Sequence, residues 1–116
     1  MTKPKHYREI IDALVDVCVT GQGQLATRRV HAGVWNAAAT AEDMPQEHAA
    51  NVLLKRLSPT EREALAYLLA SEFRGGVFET LQALESAAVE PFQDGYEGGP
   101  HHDFIGRLGG WHWPAH

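Results

Sequence analysis

One apolar stripe constrains this chain more than any other feature. Leu65, Leu69, Phe73, Val77, Leu81, Leu84 and Ala88 recur at three- and four-residue spacing, the period of a single helix face. The stripe crosses Gly75-Gly76 without losing phase, although each glycine inside a helix costs about 1 kcal/mol relative to alanine. A break between two helices would scramble that phase. The spacing therefore predicts one long helix from Pro59 to about Ala88, roughly 45 Å at 1.5 Å per residue, with room for a kink at the glycines. Two separate helices are the competing reading. In one long helix the glycines would let another backbone approach closely. Its start is marked by Ser58-Pro59-Thr60-Glu61, a capping box with proline in the first helical position.

Upstream, Tyr7, Ile10, Ile11, Leu14, Val17 and Cys18 form a second stripe. It predicts a helix over Tyr7 to Val19, with Arg8, Asp12 and Asp16 on the other face and Gly21 and Gly23 ending it. A short helix is expected from Gln24 to about His31, capped by Gly33, with Trp35 folding back as a plug. Asn36 to Met44 reads as loop. A third helix starts near Pro45 with Asp43 as its cap, carries Val52, Leu53 and Leu57 on its apolar side, and places Lys55 and Arg56 where the helix dipole favours cations. After Val89, Pro91, Asp94-Gly95, Gly98-Gly99-Pro100 and Gly109-Gly110 punctuate the chain, leaving space for one short helix over His102 to Leu108. The end, Trp111-His112-Trp113-Pro114, is too aromatic for a free tail and is expected to dock on the helices.

These elements define an all-α fold, a small helical bundle with one long helix and an irregular Trp-rich C-terminal segment packed on it. At 116 residues, with 44% hydrophobic and 22% charged residues, residues 1–116 suit a single helical domain with one real core. No stretch is long and apolar enough for a signal peptide or a membrane span. The single cysteine, Cys18, precludes an internal disulfide and points to a reducing, cytoplasmic setting. It lies on a buried helix face, where thiols are inert.

Several of the segments just described occur together in a known pattern. Arg29-Val30 with Gly33 and Trp35, Asn51 to Leu54, Leu57-Ser58, Arg62-Glu63-Ala64-Leu65-Ala66 and Arg74-Gly75-Gly76-Val77 are its first parts. Val89-Glu90-Pro91-Phe92, Asp103, Arg107, Gly110, Trp113 and Pro114 complete it. In these the chain resembles a family of small bacterial proteins of unknown function, over most of its length. Other members carry an additional hydrophobic stretch before the segment like Val89-Glu90-Pro91-Phe92, so the resemblance implies that a small hairpin of the relatives is missing here. It supports one domain and brings no activity with it.

The net charge of −5, from 15 acidic and 10 basic residues, argues against nucleic acid as a partner, since phosphate binding relies on clustered Lys and Arg. Arg28-Arg29 is too small a basic spot to reverse that. No phosphate loop, dinucleotide fingerprint or nucleophile elbow is present, no cofactor is implied, and no residue takes a catalytic role. Glu72 and Glu79, two turns apart on one helix side, lack any further acid–base context. Four of the seven histidines, His101, His102, His112 and His116, lie near the C-terminus with Asp103 beside them. These are zinc or nickel ligand types, but adjacent histidines point apart and no His-x-x-x-His helical pair occurs. Asp103 and Arg107, four apart, would share a helix face, and Arg107 could stack on Trp111 or Trp113.

The expected function is that of a non-enzymatic cytoplasmic binding protein, of immunity or regulatory type, acting through a protein–protein contact. The candidate surface is Trp35, Tyr96, Asp103, Arg107, Trp111 and Trp113 with nearby acidic helix faces, and a basic partner would match it. The alternative is a small metal-binding protein or enzyme built on the C-terminal His/Asp cluster. A homodimer formed through the long helix is a third reading.

Overall fold

The computed structural model describes residues 6–114. Among these residues five α-helices follow in order: α1 (Tyr7–Val19), α2 (Leu25–Ala32), α3 (Pro45–Arg56), α4 (Pro59–Ser86) and α5 (Pro100–Leu108), with a 3-10 turn at Gln22–Gln24 between the first two. No strand occurs among the described residues.

The long helix forms as one piece. Ser58 Oγ accepts from the Glu61 amide at 3.1 Å and the Glu61 carboxylate accepts from the Ser58 amide at 2.8 Å, so both reciprocal bonds of the capping box are made. Those bonds also hold the Glu61 carboxyl below its usual range. α4 then runs for 28 residues straight through Gly75-Gly76, about 42 Å. Burial of Phe73, Val77 and Leu81 on one side outweighs the propensity cost of the glycines. The expected close approach of another backbone is not made: apart from the helix's own adjoining backbone, no atom lies within 4 Å of where a Cβ would stand on either glycine. Gly75 sits on the side of α4 turned away from the core stripe.

Instead of one core there are two, spaced along α4. The first gathers Tyr7, Ile11, Cys18, Leu81 and Phe104, with Phe73, Val77, Phe92 and Trp113 against them. The second gathers Val30, Leu54 and Ala66, with Trp35, Leu57, Leu65 and Leu69. The molecule is consequently a rod of 55 × 27 × 19 Å with a radius of gyration of 18.0 Å, where a compact chain of this length has about 13 Å.

Local chemistry explains where the boundaries differ from the reading of the sequence. Met44, not Asp43, is the cap of α3, without a side-chain bond. Pro45 in the first turn forces the residue before it out of the helical region, which puts the cap position one residue beyond the carboxylate. α5 starts at Pro100 rather than His102, for Gly99-Pro100 supplies an extended cap and a proline pre-set for the first turn. Gly33 does end α2 with φ of 73°. That left-handed turn suits glycine, and the Arg62 guanidinium occupies the place a side chain would need, 2.9 Å from the Cβ position.

The Trp35 to Met44 loop is held by side chains of α3: Glu47 Oε2 accepts from Asn36 Nδ2 at 2.6 Å, and Asn51 makes the other bonds. Asn51 Oδ1 accepts from the amides of Trp35 at 2.6 Å and Asn36 at 3.1 Å, and its Nδ2 donates to Asn36 O at 2.8 Å. Asn51→Ala is expected to lower stability by about 2 kcal/mol, since half-buried backbone groups lose their partners. Chemical denaturation with an unchanged m-value is the check.

Candidate partner surface

The C-terminal tail is bolted to α1. Trp113 Nε1 donates to Asp12 Oδ2 at 3.0 Å, and Arg107 Nε of α5 donates to Asp12 Oδ1 at 2.7 Å. Arg107 Nη1 also donates to the Trp111 carbonyl. Arg8 Nη2 donates to the Pro114 carbonyl at 2.9 Å and Arg8 Nε to the Tyr96 hydroxyl at 3.0 Å. The Arg8 guanidinium lies 4.7 Å from the Tyr96 ring centre and 5.4 Å from that of Trp113, while Arg107 lies 5.5 Å from Trp113. Trp113 thus has two cations within reach of its ring, an arrangement favourable to an electron-rich ring, and it meets Tyr7, Tyr96 and Trp111 edge to face.

Beneath this clamp Asp103 is fully buried. Its Oδ2 accepts from the Tyr7 hydroxyl at 2.8 Å and the Tyr96 amide at 2.7 Å, and its Oδ1 from the Glu97 amide at 3.0 Å. Three donors offset the loss of hydration of a carboxylate. Gly95 leaves the space for it, as a Cβ there would come within 2.7 Å of Oδ2. Burial, reinforced by the hydrogen bond to Asp103, pushes the Tyr7 hydroxyl well above the ordinary tyrosine value of 10.0. A group whose folded value is raised binds its proton more tightly in the folded state, so its stabilising contribution is complete below pH 10 and declines above it. Stability is expected to fall above about pH 10 by up to about 1.4 kcal/mol per pH unit from this group. Tyr7→Phe removes that share of the slope in pH-dependent melting.

The sequence-derived candidates separate accordingly. Tyr96, Arg107, Trp111 and Trp113 come together. Asp103 belongs under them, not on the surface, and it does not pair with Arg107: their helical spacing is right, but Arg107 faces α1 and takes Asp12. Its stacking on Trp113 is present. Trp35 stands apart, packed in the second core with Arg29 at 5.0 Å from its ring centre. Arg8 and Asp12 were missed, although their four-residue spacing on the polar side of α1 was a signal for a shared role.

The histidines do not converge. His101 and His102 sit in the first turn of α5 and His112 follows its end, so the rest of the helix, roughly 9 Å at 1.5 Å per residue, stands between them. His116 lies outside the described residues. Among the described residues no three His, Cys, Asp or Glu side chains could hold a metal ion. The rings of His101 and His102 do not diverge as expected but lie 4.1 Å apart. His102 Nδ1 turns back to accept from the Gly99 amide at 3.1 Å, which draws its ring over His101. His101 packs edge-on against Phe78 with its Nδ1 3.6 Å from Glu85 Oε1.

Two grooves flank α1. One, of about 720 Å³, runs between α1 and the end of α5, with Glu9, Asp12 and Asp16 above Ala13, Val15 and Leu108. Arg107 and Gly110, just before the docked tail, also line it. The other, of about 570 Å³, lies between α1 and α4 and is apolar, floored by Leu14, Phe73, Val77 and Leu84. No helix is long and apolar enough to cross a membrane among the described residues.

The whole arrangement falls within one protein family, because the model of the family of unknown function DUF6547 matches residues 1–115. The chain belongs to DUF6547. No curated protein and no solved structure matches it. In this DUF6547 chain the matched region takes in every element of the clamp, from Arg8 and Asp12 on α1 to Arg107 and Trp113.

Proposed function

We propose that this DUF6547 chain is a non-enzymatic binding protein of the bacterial cytoplasm, working as one helical unit, and that it acts by occluding or holding a basic protein partner. The observation that supports this best is the tail clamp. By bolting Trp111 to Pro114 across α1, it pre-orders aromatic rings against Asp12, whose side chain also lines the groove that carries Glu9 and Asp16. A surface ordered before binding loses little conformational freedom on association, and tryptophan with arginine is the composition favoured at binding hot spots. The chain's net charge of −5 adds long-range attraction for a cationic partner. A reducing compartment suits a lone, buried thiol, whose ionisation burial discourages although Arg74 partly opposes it.

Charge reversal of the rim tests the reading. The wild-type chain, tagged and recovered from its native cells in low salt, is expected to hold one basic protein in fixed stoichiometry. Glu9→Lys with Asp16→Lys should weaken that complex at least tenfold, about 1.4 kcal/mol, while leaving the helical spectrum unchanged, because both side chains are exposed. A partner held equally well by the double variant would refute the proposed surface.

A further inference from the structure

We infer that the outer face of α4 is the interface between two copies of this chain, packed antiparallel about a two-fold axis near Ser71. This face is separate from the α1 surface proposed above. Glycines at 75 and 76 weaken a long helix by about 1 kcal/mol each, yet nothing in the chain fills the space they leave. Exposed apolar side chains lie on the same outer side as Gly75. Leu68 is 58% exposed, Tyr67 71% and Ile105 of α5 47%. Gly75, Ser71, Phe78 and Ile105 line a depression of about 460 Å³ between α4 and α5, with Arg74 on its edge.

The occupant follows from area and symmetry. The chain exposes 7370 Å², about 1,000 Å² more than a compact monomer of 12.8 kDa is expected to show. That surplus exceeds the roughly 800 Å² that each partner contributes to a standard interface. A two-fold contact must be self-complementary, with each pairing made twice. On α4, Leu68 and Gly75 lie on one flank of the outer stripe, and Tyr67 and Arg74 on the other, by the 100° helical step. In an antiparallel pair, like flanks meet. An axis near Ser71 then sets Leu68 of one copy into the gap at Gly75 of the other, and Arg74 of one over the Tyr67 ring of the other, in both directions. The first pairing is large into small, and the second is a cation–π contact.

Light scattering on the eluting protein, at concentrations up to about 100 µM, tests this. The wild-type chain is expected at twice 12.8 kDa, and Leu68→Glu and Gly75→Leu each at the monomer mass with an unchanged helical spectrum. Gly75→Ala supplies a second signature. It should raise the stability of the isolated chain through helix propensity while weakening the dimer at least threefold, opposite signs that a purely structural glycine would not give. A wild-type monomer over that concentration range, or a dimer unaffected by Leu68→Glu and Gly75→Leu, overturns the inference.

Discussion

Asp103→Ala is expected to destabilise the chain by about 3–5 kcal/mol, lowering the melting temperature by roughly 10–20 °C. The size follows from what the carboxylate holds. It takes the Tyr7 hydroxyl from α1 and two amides from the loop before α5, and it is itself wholly buried. Alanine removes the acceptor from all three bonds, that of the hydroxyl in a place water does not reach. Asp103→Asn keeps the shape but offers one accepting oxygen in place of two, and about half of the loss is expected. The joint effect of Asp103→Ala and Tyr7→Phe should fall well short of the sum of the single effects, since both remove the same bond. Thermal melts of the four proteins settle it, and additive losses would mean that the bond contributes nothing.

Trp113→Ala is the second large effect, about 2–4 kcal/mol, below the 3–5 kcal/mol of a fully buried tryptophan because Trp113 is only half-buried. The ring is where α1, α5 and the tail meet. Without it Arg8 and Arg107 lose their shared aromatic face, and Asp12 keeps Arg107 but loses the indole donor. The tail amides should then exchange with solvent markedly faster, while those of the second core around Val30, Leu54 and Ala66 keep their protection. Hydrogen exchange followed by peptide reads both. Equal acceleration in the two cores would show that the tail is no local clamp.

These two residues also mark how far the sequence could be read. Elements that depend on neighbours a few positions apart were legible: the capping box at Ser58, the phase of the stripe through Gly75-Gly76, the left-handed turn at Gly33. The site depends on residues that are far apart in the chain. Tyr7 meets Asp103 across 96 positions and Arg107 meets Asp12 across 95, and no helical period encodes which faces will meet. The same logic misplaced Asp103, whose four-residue spacing to Arg107 suggested a surface pair. A helix surface has several neighbours at that spacing, and here packing against α1 decided for Asp12. Trp35 was grouped with the other tryptophans by residue type, while the length of α4 carries it into a different core. The two cores follow from the same long helix, which exceeds what the remaining short helices can wrap into a sphere.

Site-directed photo-crosslinking in living cells bears most directly on the central claim, that the clamped face of α1 receives a protein partner. A crosslinkable amino acid at Ala13, an exposed position in the acidic groove, is expected to give one discrete adduct with a basic protein, lost in the Asp16→Lys background. The same probe at Ala83, exposed on α4, should not give it. An identical adduct pattern from both positions, or no adduct from Ala13 at all, would contradict the account.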